Sequence, residues 1–156
     1  MHEAVRKIVE RFELIPHPEG GYYREVFRSE IALDLPGSDP KRGTRRRAST
    51  LIYFLLAGRD FSAFHRVRTA DEVWHLYAGG PLELHTIDSS QRYAKQVLSG
   101  DLASGEPTCV VRAGCWQAAR LESASAWAFA GCTVAPAFEF ADFEMPPGNE
   151  LAASFP

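Results

Sequence analysis

Short segments of strand length, separated by turns rich in Gly, Pro and Ser at intervals of roughly 8 to 12 residues, run through most of the chain. This rhythm constrains the fold more than composition does, because no strand-helix-strand alternation interrupts it and a parallel sheet is therefore excluded. About ten such segments follow Tyr22, among them Tyr22 to Ser29, Ser49 to Ala57, Leu82 to Ile87, Tyr93 to Leu98 and Gln117 to Leu121. Antiparallel all-β sandwiches or barrels are the architectures built from strands of this kind.

The beginning of the chain has a different period. Ala4 to Leu14 places Val5, Ile8, Val9 and Phe12 at helical spacing with charges between them, which predicts an amphipathic helix of about three turns ending before Pro16. Pro18-Glu-Gly-Gly21 is a turn. Ile31 to Arg47, polar and rich in Pro and Gly, predicts a loop. Ser49 to Ala57 is almost continuously apolar and predicts a central strand covered on both faces. Phe138 to Glu144 alternates and predicts the last strand, with a tail from Pro146. A single domain over residues 1–156, with its core over about 5–145, accounts for the whole, since a chain of 156 residues buries roughly 70% of its unfolded surface.

Charge and cysteine usage narrow the function classes. A formal charge of −3 argues against a nucleic-acid surface, which needs a basic face. The exception is Lys41 to Arg47, with five cations in seven residues. It reads first as a solvated loop entering a strand, with a phosphate contact as the alternative. Cys109, Cys115 and Cys132 are odd in number and lack Cys-x-x-Cys spacing, so reduced, buried thiols are expected rather than disulfides or nucleophiles. No apolar run approaches the roughly 18 residues of a membrane span, and no secretory pattern opens the chain. A soluble cytoplasmic protein without membrane or nucleic-acid partners is the expectation.

The segment Phe61 to Gly79 carries the chemistry. It alternates on both sides of the turn Arg68 to Asp71, as a hairpin with one buried face does. Strict alternation puts Phe61, Ala63, His65 and Val67 on one face of the first strand, and Ser62, Phe64, Arg66 and Arg68 on the other. On the second strand Glu72, Trp74 and Leu76 share a face, with Val73, His75 and Tyr77 opposite. If the Glu72 face and the His65 face coincide, an imidazole and a carboxyl group meet inside.

These residues resemble the first motif of the cupin superfamily, in which Gly, His-x-His, Glu and Gly recur at fixed spacing. His65, Glu72 and Gly79 fit; Val67 stands where the second His belongs and Arg59 where the opening Gly belongs. The second cupin motif resembles Arg112-Ala-Gly114-Cys-Trp-Gln117, with Gln117 in place of its His. The wider wording of His17-Pro-Glu-Gly-Gly-Tyr-Tyr-Arg24, Ser49 to Leu56, Asp71-Glu-Val-Trp-His75 and Gly131 to Glu144 resembles the fifth cupin family, short single-domain proteins of uncharacterised function. The resemblance implies a cupin double-stranded β-helix, a jelly-roll barrel with a short N-terminal α-helix, and a homodimer.

It also implies a site. The positions matching the cupin metal ligands are His65, Val67, Glu72 and Gln117; one imidazole, one carboxylate and one amide make a poor set for zinc or iron. A divalent metal held by His65, Glu72 and Gln117 therefore stays an alternative, and His75 faces away from that set. Without metal, His65 and Glu72 form an acid-base or ligand-orienting pair. Trp74, Phe138 and Phe140 are candidates for a flat wall against a sugar ring or base, Gln117 for a polar contact, and Arg66 or Arg24 for a phosphate. Against each stands the plainer role of core aromatic or surface arginine. His2, His17 and His85 have no assigned partner, and His17 is expected to be structural. The leading expectation is a small polar ligand, sugar-like or nucleotide-like, bound inside the barrel. A metal-independent sugar-nucleotide isomerase or epimerase with His65 as base, a metal-dependent cupin enzyme and a non-catalytic storage or scaffold protein are the alternatives.

Overall fold

The computed structural model describes residues 3–35, 45–123 and 126–146. Helix α1 (Glu3–Phe12) is followed by β1 (Ile15–Pro16), β2 (Tyr22–Arg28), β3 (Ala32–Asp34), β4 (Arg45–Arg47), β5 (Thr50–Ala57), β6 (Phe61–Val67) and β7 (Asp71–Gly79). After these come β8 (Leu82–Ile87), β9 (Tyr93–Leu98), β10 (Thr108–Val111), β11 (Trp116–Leu121), β12 (Trp127–Ala135), a 3-10 turn (Phe140–Asp142) and β13 (Phe143–Glu144). A six-stranded sheet in the order β1-β2-β5-β12-β7-β10 faces a five-stranded sheet in the order β13-β6-β11-β8-β9, and β3 pairs with β4 alone. The pairings between these strands are antiparallel. The all-β jelly roll with one N-terminal helix is thus the observed architecture. No helix among the described residues is long and apolar enough to cross a membrane.

Two apolar clusters hold these layers together. Phe54, Leu56, Trp74, Leu82, Leu84, Leu98, Leu121 and Ala128 fill one half of the space between the sheets. Val5 and Leu14, backed by Ile8, Val9 and Phe12, seat the helix on Leu55 and Phe129 of the six-stranded sheet's outer face. That contact is why the helical spacing near the N-terminus is stable in so short a segment. A third, smaller cluster of Val67, Ala70 and Val134 with Phe138 lies apart from these two.

The structure corrects the sequence reading in four places. The expected hairpin from Phe61 to Gly79 is two strands that do not pair: β6 lies in the five-stranded sheet and β7 in the six-stranded one, so the turn between them crosses from sheet to sheet. The expected loop from Ile31 to Arg47 contains the β3–β4 pair, with Leu33 opposite Arg46; residues 36–44 lie outside the described residues. An arginine-rich strand is stabilised here because Arg46 turns inward to pair with buried Asp142 and to donate to the Ala137 carbonyl at 2.7 Å. The expected strand Phe138 to Glu144 is broken by a 3-10 turn over Phe140–Asp142, and only Phe143 and Glu144 pair with β6. Finally, β6 does not alternate strictly. Gln117 lies opposite His65 while Ala119 lies opposite Ser62, so β6 carries one extra residue, a bulge that shifts the phase of its side chains. Ser62 and His65 are both buried and Phe61 is exposed.

Candidate functional site

The bulge in β6 decides which side chains enter the interior at the hollow end of the sandwich. There His17, Glu19, His65, Glu72 and Cys132 line a half-open cavity of about 130 Å³, together with Thr50, Ile52, Val67 and Val134. Its rim is formed by Glu25, Arg28, Phe138, Glu139, Phe140 and Phe143. The volume is in the class that admits one six-membered ring, since an engineered cavity of about 150 Å³ in another protein holds benzene.

Glu19 reaches this cavity from the turn before β2, and the two glycines after it make that possible. Gly20 and Gly21 have φ of 114° and 69°, in the left-handed region that side chains disfavour. A Cβ on Gly20 would lie 2.1 Å from the Phe61 carbonyl oxygen, and one on Gly21 2.6 Å from that of Leu55. The turn is therefore pressed against β5 and β6, and the Ala63 N–H donates to the Glu19 carbonyl at 2.8 Å. The carboxyl group is left inside, where Ser62 Oγ donates to its Oε1 at 2.8 Å. Burial pushes the Glu19 carboxyl up to about 8, against a smaller opposing effect of the Ser62 hydrogen bond.

The two histidines flank this acid. His65 Nδ1 lies 3.2 Å and His17 Nδ1 3.5 Å from Glu19 Oε2. Burial lowers both imidazoles, His17 to about 4, with the His65 charge adding to the effect on His17 and the Glu72 charge opposing it on His65. A neutral carboxyl group beside neutral imidazoles makes these contacts uncharged rather than ion pairs. Tautomers follow from the partners. His65 Nδ1 is 2.8 Å from the Ala63 carbonyl oxygen, which accepts only, so Nδ1 carries the proton. Its Nε2 has no hydrogen-bond partner among the described residues and keeps a free lone pair. His17 Nδ1 instead accepts from the Glu19 backbone N–H at 3.3 Å.

The floor is a polar relay into the packed half. Trp74 Nε1 donates to Gln117 Oε1 at 2.9 Å, and Gln117 Nε2 donates to Glu72 Oε2 at 2.5 Å. An indole N–H only donates, so it fixes the amide orientation. Burial raises the Glu72 carboxyl, with the His65 charge and the Gln117 hydrogen bond opposing. Cys132, buried beside Glu72, is a thiol raised well above its ordinary value by that burial, which leaves it protonated and unreactive.

Of the residues singled out in the sequence, His65, Glu72, Phe138 and Phe140 line the cavity together. Trp74 and Gln117 do not; both are buried behind Glu72 and act on it through hydrogen bonds. Arg66 points away from the interior, pairing with Glu144 at 2.6 Å, its guanidinium 4.4 Å over the Trp116 ring. Arg24 pairs with Glu13 outside. His75 faces Thr133 at 3.2 Å on the sheet's other side, and His85 sits on the five-stranded sheet beside Tyr93. Sequence reasoning missed Glu19, treated His17 as structural and passed over Phe143, whose ring stacks 5.4 Å from that of His65. One signal was available for Glu19: an acid followed by two glycines in a Pro-bounded turn marks a backbone pressed against a neighbour.

A metal does not fit the cupin ligand positions of this chain. Val67 supplies no donor, and the Gln117 oxygen is taken by the Trp74 indole while its amide nitrogen faces Glu72. Among the described residues no group of three or more His, Cys, Asp or Glu is arranged to hold an ion.

Fold and cavity define a small double-stranded β-helix protein of the cupin type with a protonatable interior. The chain belongs to the family described as Cupin superfamily (DUF985), whose model matches residues 6–146. It is similar to a solved protein from Shewanella oneidensis, at 36% identity and TM-score 0.82 over 98% of this chain and 90% of that one. A hypothetical protein from Leishmania major matches at 30% identity and TM-score 0.83 over 97% and 92%. Bacillus subtilis oxalate decarboxylase shares the fold alone, at 15% identity and TM-score 0.58 over 90% of this chain and 33% of its own. No functionally curated protein matches the chain.

Proposed function

We propose that the protein binds a small polar ligand in its interior, with one ring-sized group entering between His65, Glu19 and Glu72 and lying against Phe138, Phe140 and Phe143. The observation that carries this reading is the half-open cavity into which two carboxyl groups and two imidazoles converge behind an aromatic rim. Burying such groups costs stability unless they are paired, and a ligand in the cavity adds to the pairing that Ser62, the Ala63 carbonyl and Gln117 give them. A sugar ring, with alternating hydroxyl donors and an apolar face, suits both the polar floor and the aromatic wall. The test is a thermal-shift panel of free and phosphorylated sugars and sugar nucleotides, run on wild type, His65→Ala and Glu19→Gln. A compound that raises the wild-type Tm and leaves both variants unmoved is expected; stabilisation of all three alike by every compound that binds would sink the reading.

The protonation states favour a second reading, an isomerase or epimerase working without metal. Glu19, raised to about 8, is a neutral acid at pH 7, and His65 is a neutral base at Nε2, the paired arrangement that acid-base chemistry needs. In that reading His65 Nε2 removes a proton from a carbon next to a carbonyl, the Glu19 carboxyl donates to the carbonyl oxygen, and both protons return without net oxidation or reduction. Washing solvent deuterium into a bound ligand would show it; exchange that survives His65→Ala would exclude His65 as the base.

A further inference from the structure

A cavity sized for one ring sends any larger ligand outward across its rim, and the rim leads to a second cleft. That cleft, about 480 Å³, is lined by Ala32, Arg45, Arg46, Arg47 and Glu139, and Glu139 also lines the first cavity. Its charges are unevenly matched. Arg46 is committed to Asp142 and the Ala137 carbonyl, and Glu139 is neutralised by Arg28 at 3.0 Å. Arg47 spends one nitrogen on the Glu30 carbonyl oxygen at 2.5 Å. Arg45 has neither an ion pair nor a side-chain hydrogen bond among the described residues. Among the described residues, two guanidinium groups therefore share one cleft without a carboxylate paired to either, and guanidinium stays charged throughout the physiological range. The Arg46 side chain is only 8% exposed, and its Nε is buried without a hydrogen-bond partner among the described residues. Like charges brought together in one cleft without a carboxylate paired to them describe a site arranged for an anion.

We propose that this arginine cleft takes the phosphate or diphosphate of the same small molecule whose ring enters the cavity, which makes the ligand a phosphorylated or diphosphate-linked ring compound. The proposal rests on the cavity reading above and extends it through the shared wall at Glu139. Forked guanidinium groups match phosphate oxygens in pairs, which a single surface lysine does not. The basic run of the sequence is then accounted for in part by a ligand contact at Arg45 and Arg47.

Calorimetry with inorganic pyrophosphate on the full chain tests it, comparing wild type, Arg45→Ala/Arg47→Ala, the charge-retaining Arg45→Lys/Arg47→Lys, and Glu19→Gln. Wild type should bind one pyrophosphate per chain. Loss of the two forks should weaken binding at least about tenfold in the alanine variant and less in the lysine variant. Glu19→Gln should stay within about twofold of wild type, because the anion sits outside the cavity. Both arginines are exposed, so the melting temperature of the variants should not move; if the alanine pair does unfold, single Arg45→Gln replaces it and should still show the loss. Absence of wild-type binding, or alanine-variant affinity within about twofold of wild type, overturns the proposal. So does a short single-stranded RNA bound more than about tenfold tighter than pyrophosphate, which would mark a polyanion surface. Failure of the cavity reading looks different: pyrophosphate binding would survive while no ring compound responded to Glu19→Gln or His65→Ala.

Discussion

The two halves of the sandwich interior are built from the same strands and differ in what those strands point inward. Along β5, Phe54 and Leu56 belong to the packed half, whereas Thr50 and Ile52 line the cavity. Along β12, Ala128 and Ala130 pack, Cys132 packs and also lines, and Val134 lines; along β7, Trp74 packs and Glu72 lines. No separate element creates the hollow. Side chains that are smaller or more polar along β5 and β7 do, and the filled end supplies the rigidity against which the polar groups are held in place. A protein of this size keeps an open cavity by concentrating its apolar volume at the other end.

The difference can be broken first at Glu19. Its carboxyl is raised in the folded state to about 8 from 4.5, so the folded protein holds this proton more tightly than the unfolded chain. Its stabilising contribution is complete below pH 4.5 and is lost as pH rises through 8. Denaturant titrations of wild type should therefore lose up to about 5 kcal/mol over that window relative to Glu19→Gln, whose curve stays flatter. A parallel pH dependence in the two proteins would mean the acid is not buried. His17, lowered to about 4, works in the opposite sense: its contribution is lost as pH falls from 6.5 through 4, and His17→Phe should remove that acid-side slope.

In the packed half the expected response is insensitive to pH. Phe54→Ala deletes a ring that is 1% exposed and should cost about 3–5 kcal/mol in urea unfolding at any pH where wild type is folded. Gln117→Leu lies on the boundary. It strips the Trp74 N–H and one Glu72 oxygen of their partners and should cost about 1–3 kcal/mol, while raising the Glu72 carboxyl further, measurable by carboxylate NMR. The smallest effect belongs to Ser62→Ala, about 1 kcal/mol at high pH, where loss of a hydrogen bond that favours the ionised acid pushes Glu19 upward. A Ser62→Ala variant with Glu19 moved downward would contradict the assignment of that donor.

Much of the fold was legible because strand alternation and turn residues are local properties. The helix, the central strand and the two strands between Phe61 and Gly79 follow from spacing, and so does the placing of Glu72 with Trp74 on one face. The pairing of those two strands as a hairpin does not, because β6 and β7 belong to different sheets. What was not legible depended on distant contacts. The bulge that turns Ser62 and His65 inward exists only against β11. Arg46 looks like a surface residue until Asp142, remote in sequence, arrives beside it. Glu19 sits in a polar turn that reads as exposed, and only the approach of Phe61 and Leu55 to its glycines carries it inside. Phe138 to Glu144 alternates like a strand, yet the Asp142 N–H donates back to Glu139 at 2.9 Å and curls the segment into the rim.

The hydrogen-bonded line from Trp74 through Gln117 to Glu72 means that the two halves do not vary independently. An indole placed deep among leucines dictates which end of an amide the cavity floor presents, and with it the proton affinity of an acid the indole never touches. Changes made for packing alone, at a position no guest can reach, will register as altered pH behaviour at the mouth of the barrel.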